Sequence, residues 1–146
     1  MKITSLILFL SGLGLPLQSH ACWVEAANKY GINPYLLYAI AKTESGLNPR
    51  AINHNTNGSY DIGLMQINSG WLPTLRKYGV TEEALFEPCT SIQVGAWILA
   101  QNIQQFGNTW EAVGAYNARS PVLRLKYATK VYRNLPLPLR EDMEQN

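Results

Sequence analysis

The chain has 146 residues, of which 47% are apolar and 15% are charged, and its formal net charge is +2. This length suits one domain, and the apolar share is enough for a packed core, which excludes a wholly disordered protein. The basic residues form no long run, so the charge pattern excludes a dedicated nucleic-acid binder, whose affinity rests on clustered Lys and Arg side chains.

The first 21 residues have the pattern of a secretory signal. Lys2 precedes an apolar run from Ile3 to Leu10, and small residues flank a cleavage site expected after Ala21. The run is short and is followed by glycine and proline, which argues against a membrane-spanning helix. A lipid anchor on Cys22 is an alternative, although the preceding residues differ from the bacterial lipobox. We therefore expect residues 1–21 to be a signal peptide and the remaining chain to be exported.

Cys22 and Cys89 are the only cysteines of the chain. Because an exported protein meets an oxidising compartment, we expect these two residues to form a disulfide. Such a bridge closes a loop of about 68 residues, for which chain-entropy estimates give about 4 kcal/mol. The cysteines and His54 lack the spacing of metal ligands, so we expect no metal, and we expect no cofactor.

Helical periodicity begins after the signal and is interrupted by a polar segment. A helix is predicted from Trp23 to Tyr30, and a second begins at Asn33 and Pro34, typical capping and first-turn residues, and stops at Gly46. Residues 52–61 are polar and contain Asn57-Gly58, a dipeptide that favours a two-residue hairpin turn. A small β-hairpin is therefore predicted after the second helix.

The second half of the chain is again helical in pattern. Further helices are predicted at residues 71–78, 91–106, 109–116 and 121–134. Residues 135–146, with alternating prolines and then acidic and amide side chains, are expected to form a flexible tail. The predicted fold class is mainly α, in the α+β sense, with one domain at residues 22–134.

Glu44 and Asp61 are carboxylates in contrasting surroundings. Leu37 and Ile40 share the helix face of Glu44, so burial should raise its pKa and keep it protonated near neutrality. The neighbours of Asp61 are polar: Asn53, Asn55, Thr56, Asn57, Ser59 and Gln66. Hydrogen bonds from such side chains stabilise an ionised carboxylate, and this contrast suits cleavage of a glycosidic bond. Taken singly, a solvated glutamate and a turn-stabilising aspartate are the ordinary interpretations.

The segment from Glu44 to Trp71 resembles animal c-type lysozymes. Three ordered motifs, at residues 44–45, 63–67 and 115–118, resemble more closely the bacterial lytic transglycosylases of the soluble type. This resemblance implies a lysozyme-like fold with the small β-hairpin beside the active-site cleft. It makes Glu44 the proton donor, with Asp61 as an additional, lysozyme-like carboxylate, and it places further residues at the sugar-binding site: Ser45, Met65, Gln66, Tyr116 and Asn117.

The resemblance implies that Tyr116 hydrogen-bonds to Glu44 and orients it. It also implies that Gln66 and Asn117 line the sugar site and that Ser45 holds Glu44 or the helix end. The alternatives are a packed tyrosine, helix-end amides and, for Met65, simple core filling. His54 is expected on the surface of the hairpin.

A small exported chain with paired cysteines most resembles the specialised transglycosylases that accompany type III or type IV secretion systems and type IV pili. The resemblance implies a monomer in the periplasm that cleaves peptidoglycan strands between N-acetylmuramic acid and N-acetylglucosamine, forms a 1,6-anhydro product and opens the wall for such a machine. Components of the machine are the implied partners, and nucleic acid is not. A hydrolytic muramidase and a non-catalytic peptidoglycan-binding scaffold are the alternatives.

Overall fold

The structure is a computed structural model that describes residues 17–144. Most of the expected signal peptide, residues 1–16, lies outside this part. The helices are α1 (Leu17–Tyr30), α2 (Pro34–Ser45), α3 (Leu72–Arg76), α4 (Pro88–Phe106), α5 (Trp110–Gly114), α6 (Pro121–Asn134) and α7 (Leu137–Glu144). None of these described helices combines the length and apolar character needed to cross a membrane. The predicted mainly α class is confirmed.

A small antiparallel sheet follows α2 and forms the predicted β element. Its strands are β1 (Ile52–His54), β2 (Tyr60–Ile62) and β3 (Ile67–Asn68), arranged in that order. β2 is the central strand, and its Asp61 pairs with Asn53 of β1 and with Asn68 of β3. The hairpin is therefore present, and a short third strand fixes its second edge.

The turn between β1 and β2 is longer than the expected two-residue turn. The Asn55 N–H donates to the Ser59 carbonyl at 2.8 Å, which leaves residues 56–58 as the loop. Gly58 has a φ of 84°, whereas Asn57 keeps a negative φ. The Asn57 side chain instead accepts a hydrogen bond from the Ser59 N–H at 3.0 Å. Because the asparagine carbonyl closes the loop in this way, only the glycine has to adopt the left-handed conformation.

α2 begins and ends where the sequence predicts. The Asn33 side chain accepts from the Tyr35 N–H, Pro34 fills the first turn, and the helix stops at Gly46, whose φ is 61°. The buried side chains of α2 are Leu37, Ala39, Ile40 and Ala41. Glu44 lies in the last turn of this helix, at the edge of the same core.

α4 passes through the core and carries the second half of the disulfide. Its Ile92, Ala96 and Leu99 are fully buried. The helix begins at Pro88, earlier than predicted, because proline fits the first helical turn, where its missing N–H is not needed. Cys89 of this turn is bonded to Cys22 of α1, which confirms the expected disulfide and joins the two helices.

α7 occupies part of the segment that was expected to be a flexible tail. Leu135 is buried just before it, and the Tyr132 hydroxyl donates to the Arg140 carbonyl at 3.4 Å. Pro138 lies in the first turn, a position that proline tolerates, so the alternating prolines start a helix instead of preventing one. α3 and α5 are each shorter than predicted.

Candidate active site

Glu44 is the most strongly perturbed carboxyl of the described chain. Its side chain is half-buried at the end of α2, above the fully buried Ile40 and Ala41. Burial, which disfavours the charged form, is the main reason why the pKa of Glu44 is raised from 4.5 to about 7. The charge of Asp61 raises it further, while a hydrogen bond and the charge of Lys130 lower it. The rise in the pKa of Glu44 agrees with the expectation from its apolar helix face.

The hydrogen bond to Glu44 comes from Tyr127, a residue that the sequence analysis did not include in the site. Its hydroxyl donates to the Glu44 carboxyl oxygen Oε1. Tyr127 is buried on α6, and burial, followed by the charge of Glu44, holds its pKa well above its usual range. The phenol therefore remains a donor at every physiological pH. In the sequence, the position of Tyr127 beside Ala128 on the apolar face of α6 indicates core packing. Only its hydroxyl, which needs a hydrogen-bond partner when the ring is buried, indicates a second role.

Tyr116 does not make the bond to Glu44 that the resemblance implied. Its hydroxyl donates to the Met65 carbonyl at 2.9 Å. Burial, and then the charges of Glu44 and Asp61, keep its pKa well above its usual range, so the phenol lies within electrostatic reach of both carboxylates. Gly95 of α4 makes this placement possible, because a Cβ at that position would lie 2.9 Å from the Tyr116 hydroxyl oxygen. Tyr116 thus holds the turn between β2, which carries Asp61, and β3.

Asp61 has a hydrogen-bond donor on each of its carboxyl oxygens. Asn55 Nδ2 donates to Oδ2 at 3.0 Å, and Asn68 Nδ2 donates to Oδ1 at 2.7 Å. Asn55 was among the expected donors, whereas Asn68 was not. Asn68 reaches Asp61 because β3 pairs with β2, and that pairing is not visible in the spacing of the sequence. Both amides fix the position of the carboxylate.

Gln66 is a bracing residue of the turn before β3. Its φ is 50° and its side chain is 8% exposed. Its Oε1 accepts from Asn53 Nδ2 at 2.6 Å, and its Nε2 donates to the carbonyls of Ala51 and Gly63 at 3.2 and 2.9 Å. The amide is therefore occupied within the protein. It ties β1 to the turn that follows β2, and only Oε1, which accepts one bond, keeps an acceptor position for the expected sugar contact.

The other residues expected at the sugar site divide into two kinds. The Ser45 hydroxyl donates to the Leu64 carbonyl at 2.7 Å, which fastens the end of α2 to the turn after β2. Met65 is fully buried and packs against Gly95, which agrees with core filling. Asn117 is exposed in the loop between α5 and α6 and can meet a ligand. His54 is exposed on β1, as expected.

The arrangement combines one carboxyl whose pKa burial raises to about 7 with a second that accepts two amide hydrogen bonds. Such a pair supplies a proton donor and a negative charge to opposite ends of a glycosidic bond. In residues 17–144, no group of three or more His, Cys, Asp or Glu side chains is placed to hold a metal ion. The two carboxyls themselves support acid–base chemistry.

The family model described as "Transglycosylase SLT domain" matches residues 21–129. Among known proteins, the invasion protein IagB of Salmonella typhimurium is 48% identical over 118 residues, which cover 77% of this chain and 74% of the relative. Protein IpgF of Shigella flexneri is 44% identical over 130 residues, 86% of this chain and 85% of the relative.

Two solved structures share the fold. An inactive mutant of the lytic transglycosylase Slt from Pseudomonas aeruginosa is 26% identical, with a TM-score of 0.64 over 82% of this chain. The 70 kDa soluble lytic transglycosylase of Escherichia coli is 25% identical, with a TM-score of 0.60 over 86% of this chain. This chain spans only 23% and 22% of those two proteins.

Proposed function

The chain belongs to the transglycosylase SLT domain family, and on that premise we propose the bond that it cleaves, the product that it releases and the setting in which it works. It is a peptidoglycan lytic transglycosylase. The proposed bond is the β-1,4 link between N-acetylmuramic acid and N-acetylglucosamine, and the proposed product carries a 1,6-anhydro ring on the muramic acid. Residues 22–134 would be the catalytic domain, after a signal peptide at residues 1–21.

One observation carries this proposal: Glu44 is held by burial at a pKa of about 7 and is bonded to the Tyr127 hydroxyl. A carboxyl with that pKa is about half protonated at neutral pH, so it can donate a proton in one step and accept one in the next. In the first step Glu44 gives the proton to the glycosidic oxygen, the bond to the muramic acid C1 breaks, and positive charge develops on the sugar ring. Tyr127 orients the carboxyl throughout and stabilises the carboxylate that the step creates.

In the second step the same side chain acts as the base. The Glu44 carboxylate removes the proton from the 6-hydroxyl of the muramic acid, and the freed oxygen bonds to C1 of the same sugar. This closes the anhydro ring and returns Glu44 to its protonated state, so the cycle consumes no water. The ionised Asp61, held by Asn55 and Asn68, stabilises the positively charged ring between the two steps.

The presence of Asp61 also favours a second candidate, a muramidase that hydrolyses the same bond. A second carboxylate near the sugar is a lysozyme-like feature, and its charge reaches Glu44 strongly enough to raise that pKa. If water reaches C1 before the 6-hydroxyl does, the product has a free reducing end. A non-catalytic peptidoglycan-binding scaffold is the third reading, and the perturbed acid at Glu44 argues against it.

We further propose that the enzyme works in the periplasm and opens the wall locally for a type III or type IV secretion system or a type IV pilus. The disulfide between Cys22 and Cys89 suits an oxidising compartment. A relative described as an invasion protein, 48% identical, supports a role in such a machine. Components of the machine would be its protein partners.

The test is digestion of purified peptidoglycan sacculi, with mass spectrometry of the released muropeptides. The wild-type protein should release anhydro products, which lack one water relative to hydrolytic products. Glu44→Gln should lower turnover at least about a hundredfold, the usual contribution of a general acid. Glu25→Gln, an equivalent change at an exposed position of α1, is the control and should retain full activity. Undiminished turnover by Glu44→Gln would refute the mechanism, and products with reducing ends alone would favour the hydrolase.

A further inference from the structure

α6 carries a line of exposed cations along one side. Lys126, Lys130 and Arg133 are all exposed and follow one another at intervals of four and three residues. Residues with this spacing lie on one face of a helix, so the three charges form a stripe about 10 Å long between the first and last Cα atoms. We call this set the α6 stripe.

The α6 stripe is not neutralised by the described part of the protein. The single ion pair among those residues joins Arg124 Nη1 to Glu111 Oε1 at 3.0 Å. Arg124 belongs to a different face of α6, where it also stacks on Phe106. The stripe therefore presents three charges that are free to bind an anionic ligand.

The α6 stripe runs along the rim of the proposed active site. Tyr127 of α6 bonds to Glu44, and Asn134 Nδ2 donates to the Thr43 hydroxyl at 3.0 Å, so α6 lies against the end of α2. Lys126 and Arg133 immediately precede these two contact residues in the sequence. Lys130 lies between them and is near enough to act electrostatically on Glu44. A polymer lying across Glu44 therefore comes near Lys130, the central residue of the stripe.

We propose that the α6 stripe binds the carboxylates of the peptide stems on the muramic acid, so that the enzyme prefers glycan with free stem carboxylates to glycan whose stem carboxylates are blocked as amides. This inference rests on the proposed function. The sugar backbone of such a strand is largely uncharged, whereas its peptide branches carry free carboxylates. Long Lys and Arg side chains can follow a flexible branch, and their charge-assisted bonds to carboxylates are stronger than neutral ones. An acidic protein segment has the same charge, but the position of the stripe beside Glu44 favours a substituent of the bound strand.

The experiment compares kcat/KM on peptide-bearing glycan strands with kcat/KM on the same strands after their stem carboxylates have been converted to neutral amides. Wild-type protein is compared with the triple variant Lys126→Gln, Lys130→Gln, Arg133→Gln. The matched control neutralises three exposed cations outside α6: Lys29, Arg76 and Lys77. Because both substrates meet the same Glu44, the ratio of the two kcat/KM values cancels any change in the pKa of that acid.

We expect the ratio of the two kcat/KM values to be about tenfold lower in the triple variant than in the wild type at low ionic strength. Each exposed charge contact contributes little, and the three effects multiply to about this factor. Added salt should reduce the wild-type preference, and the control variant should keep it. A ratio that is the same in wild type and triple variant would overturn the inference, whether or not the stripe also binds an acidic protein. Equal wild-type cleavage of both substrates would overturn it as well.

A binding measurement separates failure of this inference from failure of the proposed function. Glu44→Gln protein, with and without the three stripe substitutions, is sedimented with the two substrates. Weaker sedimentation of the stripe variant with the free-carboxylate substrate alone supports the inference even if the wild-type protein cleaves neither substrate. Equal sedimentation overturns it even if the proposed cleavage is correct.

Discussion

Replacement of Glu44 by glutamine should make the fold more stable at alkaline pH while removing the proposed acid. The pKa of this carboxyl is about 7 in the folded protein and 4.5 in its unperturbed state. Between these values the folded state holds the proton more tightly than the unfolded state. The stabilising effect of that proton is complete below about pH 4.5 and is lost as pH rises through about 7. Glutamine has no such titration, and its side-chain oxygen can still accept the Tyr127 bond.

The size of the effect follows from the shift in pKa. The difference is about 2.5 units (7 − 4.5), and each unit corresponds to about 1.4 kcal/mol. The wild-type protein should therefore lose about 3 kcal/mol of unfolding free energy between pH 4 and pH 8 that the variant keeps. With ordinary denaturant sensitivities, this is a difference of roughly 1 to 3 M in the urea midpoint.

The assay is urea unfolding of both proteins at several pH values, followed by tryptophan fluorescence with the disulfide intact. The gap between the two midpoints should widen steadily as pH rises from 4 to 8. Glu25→Gln should instead follow the wild-type curve at each pH. Parallel curves for wild type and Glu44→Gln would show that Glu44 is hydrated in the folded state, and the physical basis for a neutral-pH proton donor would be gone.

Three further changes test other parts of the site. Tyr127→Phe should lower kcat and move the alkaline limb of the pH profile upward by about one unit. The Tyr127 bond lowers the pKa of Glu44 in the wild-type protein, so loss of the bond should raise that pKa; a downward shift would contradict this. Asp61→Asn should lower turnover of sacculi about tenfold or more while costing about 1 kcal/mol or less in urea unfolding, and unchanged turnover would make Asp61 an ordinary turn residue. Replacing Cys22 and Cys89 with alanine should cost about 2 to 4 kcal/mol in the same assay without changing kcat of the folded fraction, and an equal loss of kcat would give the bridge a role in the site.

The parts of the fold that the sequence predicted well are those fixed by local chemistry. α6 runs from Pro121 to Asn134, as predicted, because Ser120 caps it and proline fits its first turn. α2 is bounded in the same way by Asn33 and Gly46. The disulfide also followed from the sequence, since an exported chain with two cysteines offers one pairing.

The errors in the fold occur where a local signal has two solutions. Prolines at alternating positions are compatible with an extended tail and equally with the first turn of a helix, and the burial of Leu135 beside α7 favours the second. Asn57-Gly58 permits a two-residue turn, yet the bond from the Ser59 N–H to the Asn57 side chain gives the longer loop. In each case the deciding contact involves atoms that the local sequence pattern does not include.

In the site, too, features that depend on local sequence could be predicted, whereas features that depend on distant contacts could not. The tyrosine that assists the acid belongs to the second kind. The protonation of Glu44 depends on apolar residues of its own helix, at three and four positions before it, and could therefore be predicted. The donor that bonds to it is 83 residues away, on α6, and nothing in the spacing between Glu44 and Tyr127 indicates the contact. Tyr116 lies in a recognisable motif, but its hydroxyl is taken by the Met65 carbonyl. The two phenols have different tasks: Tyr116 fixes the turn that follows Asp61 and β2, and Tyr127 alone among the described side chains donates to the acid. Tyr116→Phe should consequently loosen the turn beside Asp61, whereas Tyr127→Phe should act on the proton of Glu44 itself.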